Sequence, residues 1–383
     1  MIPFTYTLRN VFRKPFQSCQ LIMGSCLVIL LVMIALSISQ SMEKTLNNSG
    51  SKTNVIFLGA GSEESVERSE ISSGTEEIIG ANLSDIKRVM NRSAISPEVH
   101  FNGMVKFGDD HQEQALLRGI QPQAFWVHNQ VRLIEGNYPS SGQIIVGRVA
   151  YRKLGLTKQD LIVGSSIVFN GEKLEIVGIF DARGTVMEGE IWMPLQDLMT
   201  LTQRDTLSCV VLSGNSRVFF DEAEVFAKTR LDLELVALRE SDYYQNLAYF
   251  YSPIRWMAWI SAILISIGAF MGGLNTMYAA FSTRIKEFGA LQAIGFSRMA
   301  IFLSLFQEAL MIGILAAITS ILFGIFFIQD LSFPFAVGVF SLDFNNTVIT
   351  AGLVSGIMLG TFGVLPPSWK SLHPSLTETL RHS

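Results

Sequence analysis

The sequence predicts an integral membrane α-helical protein with four transmembrane helices and a large mixed α/β extracytoplasmic domain between the first and second helices. Three observations predict this class. Charged residues make up only 16% of the 383 residues, against roughly 25% in an average soluble domain. Four long windows carry almost no charge, and a helix needs about 20 apolar residues to cross a membrane. Basic residues gather in the short segments outside these windows, which is typical of cytoplasmic loops.

The four apolar windows are the predicted transmembrane helices. Buried helices of a soluble protein are the alternative, but such helices are seldom this long. The first window has 23 residues, whereas the apolar region of a cleaved signal peptide has about 7–15, so we expect an uncleaved anchor. The windows cover residues 17–39, 256–281, 300–328 and 344–366.

The distribution of charge predicts the side of the membrane on which each remaining segment lies. Segments 1–16, 282–299 and 367–383 together hold eight Lys/Arg and two acidic residues, whereas 40–255 holds 21 Lys/Arg and 28 Asp/Glu. Short basic loops stay in the cytoplasm. We therefore predict that both termini and the 282–299 loop are cytoplasmic, and that 40–255 and the short loop 329–343 are external.

The external domain reads as alternating strands and helices. TNVIFL (53–58) is a predicted strand, and residues 165–180 predict a hairpin because Asn170–Gly171 supplies the positive φ values of a type I′ turn. Residues 189–202 predict a strand that enters a short helix. The Ser/Gly/Glu-rich segment 59–77 predicts a mobile loop.

The cysteines and histidines predict neither a disulfide nor a metal site. Cys19 and Cys26 lie about 10.5 Å apart along one helix at about 1.5 Å per residue, which is too far for a disulfide, and Cys209 stands alone outside the membrane. The external histidines are well separated in the sequence, so we expect them to be solvated or to cap helices. They are His100, His111 and His128.

No motif for catalysis or nucleotide binding is present in the sequence. There is no G-x-S-x-G nucleophile elbow, and neither G-x-x-x-x-G-K-[ST] nor G-x-G-x-x-G occurs. We therefore expect a non-catalytic membrane subunit without a cofactor of its own, in which any energy from ATP enters through another subunit.

Small residues spaced four apart in the predicted membrane helices predict close helix packing. Two interpretations stay open, packing within one bundle and a seam between two copies of the chain. The residues are Gly268 and Gly272 in the second window, Gly313 and Ala317 in the third, and Gly352, Gly356 and Gly360 in the fourth.

Glu308 is the only acidic residue inside a predicted transmembrane helix. An ionisable residue at such a position is a functional hypothesis by default. We favour a structural role, in which Glu308 snorkels or hydrogen-bonds to a neighbouring helix, because a proton relay would need further ionisable partners and the other spans offer none.

The loop TRIKEFGALQAIGFSR (283–298) joins the second and third windows and mixes charged, apolar and small residues. One interpretation is an interfacial helix resting on lipid headgroups, which suits its basic residues. The other is a helix that a motor subunit on another polypeptide binds and moves. Composition alone does not decide between the two interpretations.

The segment NTMYAAFSTRIKEFGALQAIGFSRMAIFLSLFQEAL (275–310) resembles the corresponding region of MacB/FtsX-type ABC transporter permeases. That family shows a pattern close to R-x-x-E-[IF]-G-x-[LM]-[RQ]-A-[IL]-G, followed by a span with E-[AS]-L. Segments 6–18 and 136–184 are also similar to the family, and Gln292 stands where the family often has a basic residue. The matching positions are Arg284, Glu287, Phe288, Gly289, Leu291, Ala293, Gly295, Glu308 and Leu310.

The resemblance implies that the 282–299 loop is the coupling helix that sits on a nucleotide-binding subunit. It implies ATPase-coupling roles for Arg284, Glu287, Phe288, Gly289, Leu291, Ala293 and Gly295. A bulky residue at Gly289 or Gly295 is then expected to uncouple ATP hydrolysis from function.

The resemblance also implies an assembly. Two copies of the permease join two ABC ATPases that bind ATP-Mg, in a bacterial inner membrane, and pass motion to the external domains for export or mechanotransmission. A periplasmic adaptor and an outer-membrane protein are further partners that it implies, besides membrane lipid, and no nucleic acid is expected. A lipoprotein-releasing subunit, an FtsX-like regulator of cell-wall hydrolases and, from another class, a membrane receptor stay open.

Overall fold

The computed structural model describes residues 6, 9, 13, 15–108, 111–216, 218–329, 331–335 and 338–372, and for 334 and 370–372 it describes the backbone only. Most of the predicted N-terminal segment 1–16 and the tail beyond 372 lie outside these residues. The chain divides into two compact units. One comprises Met1–Gln40, Pro253–Leu331 and Leu342–Ser383, and the other comprises Ser41–Ser252 and Ser332–Ser341.

The helices of the described residues are, in chain order, α1 Pro15–Ser49, α2 Thr75–Asn82, α3 Ala124–Val127, α4 Ala150–Lys153, α5 Leu195–Thr202, α6 Phe219–Thr229, α7 Glu240–Phe250, α8 Ser252–Ser282, α9 Ile285–Ala293, α10 Arg298–Phe323 and α11 Asn346–Leu372. Short 3-10 turns lie at Val66–Arg68, Val186–Gly189 and Leu231–Leu233, and a π-helical turn, Gly324–Ile328, continues α10.

The strands are β1 Asn54–Gly59, β2 Ile71–Ser72, β3 Arg88–Val89, β4 Arg92–Ser93, β5 Ile95–Phe107, β6 His111–Ile120, β7 Arg132–Gly136, β8 Gln143–Gly147, β9 Ser166–Phe169, β10 Glu172–Asp181, β11 Ile191–Pro194, β12 Thr206–Leu207, β13 Cys209–Ser213, β14 Leu235–Arg239, β15 Ser332–Pro334 and β16 Val339–Ser341.

Four helical segments of the described residues are long and apolar enough to cross a membrane by length and composition. Each overlaps one predicted window, and the first extends well beyond residue 39. They are Pro15–Ser49, Glu240–Ser282, Arg298–Ile328 and Asn346–Trp369.

The α/β unit is built around a sheet whose pairing closes on itself. Strands β5, β6, β11, β8, β10 and β9 pair in that order, and β9 pairs back onto β5. Strands β13, β1 and β14 extend the sheet beyond β5. The main apolar core takes alternate residues of these strands, among them Val99 on β5 and Val210 on β13. The residues between them face the other side of the sheet.

The predicted hairpin, the predicted strand at 53–58 and the predicted strand and helix at 189–202 are confirmed. Strands β9 and β10 are antiparallel, and Asn170 and Gly171 have φ values of 48° and 88°. The prediction of a mobile loop over 59–77 is wrong in part. That segment holds a 3-10 turn, β2 and the start of α2, and its Val66 and Ile71 are buried. Ile71 packs in the main apolar core, and Val66 packs in a second apolar cluster with Ile56 and Leu58.

Glycines in α10 and α11 let these two helices touch through their backbones. A Cβ at Gly356 would lie 2.6 Å from the Gly313 carbonyl oxygen and 2.8 Å from Ala317 Cβ, and one at Gly360 would lie 2.8 Å from the Ala309 carbonyl oxygen. These small residues therefore pack within the chain.

The other predicted packing glycines differ in their neighbours. A Cβ at Gly352 would lie 2.6 Å from Met33 Sδ of α1, so this glycine also packs within the chain. Gly268 and Gly272 on α8 have no atom within 4 Å of such a Cβ among the described residues.

A bulky side chain at the α10–α11 contact will destabilise the helical unit. We expect Gly356→Leu to cost about 1–3 kcal/mol, the usual cost of overpacking, measured as a lower thermal midpoint of the full chain in detergent. Gly24→Leu is the matched control, since a Cβ at Gly24 on α1 has no atom within 4 Å. Equal midpoints for the two variants would contradict the assignment of this contact.

Candidate functional site

Specific capping residues end the short helix α9 and begin α10. Gly295, with φ of 107°, follows the last turn, and its N–H donates to the Gln292 carbonyl while the Phe296 N–H donates to the Leu291 carbonyl. This pair of bonds is a Schellman motif, which favours glycine at the left-handed position. Ser297 then caps α10, because its Oγ accepts from the Ala300 N–H at 3.2 Å.

Arg284, at the start of α9, forms an ion pair with Glu308 of α10. Its Nη1 donates to both carboxylate oxygens of Glu308 at 3.1 and 3.0 Å, and its Nε donates to Glu287 at 3.3 Å. The side chains of Arg284 and Glu308 are 9% and 14% exposed. Glu308 therefore has the partner that the predicted structural role requires, and that partner comes from the loop rather than from another long apolar helix.

Apolar contacts hold the same face of α9 inside the helical unit. Phe288 is 2% exposed and packs in a cluster with Phe281, Ile301 and Leu305. The Arg284 guanidinium lies 5.4 Å from the centre of the Phe288 ring, a distance at which a cation is attracted to an aromatic face. The ion pair and this cluster together fix the position of α9.

The predicted coupling residues are of three kinds: buried, partly exposed and exposed. Arg284, Phe288 and Gly289 are buried, so they anchor α9 and offer little surface to another protein. Glu287 and Leu291 are partly exposed. The exposed face consists of Lys286, Ala290, Ala293, Ile294 and Gly295.

The exposed face has the composition of a contact surface. Ile294 is 75% exposed, and beside it lie Ala290 and Ala293, which allow the close approach of another backbone. Arg13, from the N-terminal region, forms an ion pair with Glu287, with its Nη1 atom 3.5 Å from Glu287 Oε1. The sequence identified the segment 283–298, but the packing of α9 against α10 decides which of its residues are buried and which are exposed.

A buried polar cluster in the α/β unit was missed by the sequence analysis. Arg118 on β6 donates to Glu98 on β5 at 2.8 Å and, through Nε and Nη2, to both oxygens of Glu190 at 2.7 and 2.8 Å. His128 Nε2 lies 2.7 Å from Glu98 Oε1. Glu240, at the start of α7, lies 3.6 Å from His128 Nδ1.

The prediction of solvated or capping histidines is wrong for two of the three. His128 and His100 are buried, and both contact Glu98. Cys209 also does not stand alone, because its Sγ lies 3.9 Å from His100 Nε2. The signal in the sequence was a period of two, since Ser96, Glu98 and His100 alternate with apolar residues along one strand.

The charges of this cluster move its pKa values in opposite directions. Burial alone would raise the pKa of Glu98, but His128 and Arg118 hold it well below the usual value. Burial would likewise lower the pKa of His128, yet the charge of Glu98 and the hydrogen bond to it raise that pKa. Burial raises the pKa of Glu240.

Comparison with known proteins supports the resemblance seen in the sequence. The MacB-like periplasmic core domain family matches residues 21–227, and the FtsX-like permease C-terminal family matches residues 259–376. The chain is similar to the macrolide export ATP-binding/permease protein MacB from two strains of Campylobacter jejuni, with 27% identity over 226 residues in each. That alignment covers 55% of this chain and 34% of each relative, so the chain spans about a third of their length.

Two solved structures are also similar to this chain. The periplasmic region of MacB from Actinobacillus actinomycetemcomitans has a TM-score of 0.39 and 13% identity, covering 54% of this chain and 97% of that one. The extracellular domain of the noncanonic ABC-type transporter YknZ from Gram-positive bacteria has a TM-score of 0.37 and 13% identity, covering 48% and 99%. Since the first family model alone matches more than half of the residues, the chain belongs to the MacB/FtsX-type family of ABC transporter permeases.

Proposed function

We propose that this permease couples ATP hydrolysis by a separate ABC ATPase subunit to motion of its external domain, for export or mechanotransmission. The chain is then a non-catalytic subunit, and ATP-Mg binds to the partner. It works as a homodimer in a bacterial inner membrane with both termini in the cytoplasm.

The observation that carries the proposal is the anchoring of α9. A helix that transmits force needs a firm attachment to its own subunit and a free surface for the motor. The Arg284–Glu308 ion pair and buried Phe288 supply the attachment. Exposed Ile294, Ala290 and Ala293 supply the surface.

Two further observations support the assembly. The curated relatives are ATP-binding/permease proteins by name, which supports an ABC-type ATPase as the partner of this permease. Gly268 and Gly272 lack close neighbours in the described residues, which leaves α8 open to the close approach of a second copy.

We expect Ile294→Glu to release the ATPase. The substitution places an unpaired carboxylate in the proposed contact, and burying an unpaired charge costs several kcal/mol, so recovery of the ATPase should fall at least about tenfold. The measurement is quantitative pull-down of the tagged full chain from native membranes under mild detergent, with mass spectrometry for ABC-type ATPases.

Leu231→Glu is the matched control, because Leu231 is also aliphatic and 77% exposed but lies in the α/β unit. It should recover as much ATPase as the unmodified chain. If no ABC-type ATPase accompanies the unmodified chain, or if Ile294→Glu recovers as much as Leu231→Glu, the exposed face of α9 is not the coupling surface. An interfacial helix on lipid headgroups then becomes the better interpretation.

A further inference from the structure

Three side chains with metal-binding atoms lie on one face of the sheet in the α/β unit. Glu98 and His100 are two residues apart on β5, so they share a face. Cys209 on β13 is the register partner of Glu98, and directly opposite residues of an antiparallel pair have neighbouring side chains. Strand pairing therefore brings together a carboxylate, an imidazole and a thiol from positions more than 100 residues apart.

The potential donor atoms are close enough to share one ion. His100 Nε2 lies 3.2 Å from Glu98 Oε2 and 3.9 Å from Cys209 Sγ, and the three atoms lie within 4.8 Å of one another. A tetrahedral Zn²⁺ holds nitrogen and oxygen at about 2.0–2.2 Å and sulfur at about 2.3 Å. Those bond lengths separate its ligands from one another by distances of this size. All three residues are buried, which excludes competing water from most directions.

We propose that Glu98, His100 and Cys209 form a zinc site in the external domain. Oxygen, nitrogen and sulfur donors in one set match the borderline character of Zn²⁺, whereas magnesium and calcium take oxygen donors. Three protein ligands leave a fourth position open to the adjoining cavity. Binding requires the Cys209 thiolate, so the thiol proton is released to solvent when the ion enters.

The neighbours of Glu98 are arranged to orient it. Ser96 Oγ donates to Oε1 at 2.7 Å, His128 Nε2 lies 2.7 Å from that same oxygen, and Arg118 donates to Oε2 at 2.8 Å. Each carboxylate oxygen has two lone pairs, and besides Arg118 the Oε2 atom contacts only His100 Nε2, at 3.2 Å, among the hydrogen bonds of the described residues. An ion bound by Oε2 and Nε2 would replace that contact. Such outer contacts hold metal ligands in place and strengthen binding. Glu190 neutralises Arg118 with two hydrogen bonds, which limits the repulsion between that guanidinium and a cation.

Carboxyl groups outnumber guanidinium groups in the buried cluster. Three buried carboxylates, those of Glu98, Glu190 and Glu240, face the single guanidinium of Arg118 among the described residues of the cluster. His128 Nδ1 is buried without a hydrogen-bond partner and lies 3.6 Å from Glu240 Oε1.

A cavity of about 270 Å³ gives access to the cluster. Its lining includes the buried Glu98, His100 and Cys209 together with Glu64, Arg68 and Phe250, and these last three side chains are exposed. The cavity is therefore lined both by surface residues and by the three residues of the proposed site.

The test uses the full chain without a histidine tag in detergent, with Cys19 and Cys26 both replaced by Ala. We expect one Zn²⁺ per chain, and CoCl₂ should produce the thiolate-to-cobalt charge-transfer band in the near ultraviolet. Cys209→Ala should abolish that band and weaken zinc binding by more than about 100-fold, since losing an outer contact alone costs about 10–100-fold. His100→Ala should weaken zinc binding similarly, whereas His111→Ala, which removes a histidine that contacts the Leu154 carbonyl instead, should not.

The cobalt spectrum of the chain that retains Glu98, His100 and Cys209 decides the proposal even if a variant fails to fold. Absence of a thiolate band, or absence of bound zinc, would overturn it. Zinc that stays bound with equal affinity in Cys209→Ala would overturn it as well. None of these readouts depends on the ATPase, so the result is independent of the proposed coupling function.

Discussion

Glu308→Leu will destabilise the helical unit more than any other single change on α10. The substitution leaves the Arg284 guanidinium, only 9% exposed, without its main partner, and breaking one side of a buried ion pair costs about 3–5 kcal/mol. Arg284→Leu should cost a similar amount, because it leaves the Glu308 carboxylate alone. The measurement is thermal unfolding of the full chain in detergent.

The double variant Arg284→Leu/Glu308→Leu separates pairing from packing. Replacing both partners of a buried pair with apolar side chains is often neutral, so the double variant should recover most of the lost stability. Glu287→Leu is the matched control, since Glu287 also contacts Arg284 but its side chain is 39% exposed. If the two single losses simply add in the double variant, the ion pair does not anchor α9.

Arg118→Met will have the largest effect in the α/β unit. The change leaves Glu98 and Glu190, both fully buried, without the guanidinium that each contacts. We expect a loss on the order of 3–5 kcal/mol at neutral pH, read from thermal unfolding followed by tryptophan fluorescence. Trp192 reports on this region because its Nε1 donates to Glu190 at 2.7 Å.

Lowering the pH should change the stability of the unmodified chain and that of Arg118→Met in opposite directions. In the unmodified chain the folded pKa values of Glu98 and Glu190 lie below their usual value. Their contribution is therefore complete above about pH 4.5, the ordinary range of a carboxyl, and is lost as pH falls through the lowered values. In Arg118→Met burial without the guanidinium raises those pKa values, so lowering the pH from neutral to about 5 should restore part of the lost stability.

Arg230→Met is the control for this comparison. Arg230 also pairs with a carboxylate, Asp232, but on the surface, and exposed pairs contribute little. Its midpoint should stay close to that of the unmodified chain at both pH values. A similar loss in the two variants, or no acid recovery in Arg118→Met, would show that the buried cluster does not depend on Arg118.

Local patterns in the sequence determined the elements of this protein. Long uncharged windows predicted the four apolar helices, and Asn170–Gly171 predicted the β9–β10 turn, because hydrophobicity and turn preference act over neighbouring residues. The Schellman glycine Gly295 and the N-cap Ser297 act over neighbouring residues as well. The family resemblance rested on such a contiguous segment, residues 275–310.

Only the tertiary structure decided which distant side chains meet. Arg284 and Glu308 are 24 residues apart, and their pairing follows from the way α9 turns back onto α10. Cys209 and His100 are 109 residues apart, and they converge because β13 pairs with β5 in one register, which a shift of one residue would reverse. A period of two shows that Glu98 and His100 share a face, but the neighbouring strand, and therefore the third donor, depends on long-range pairing that no local pattern records.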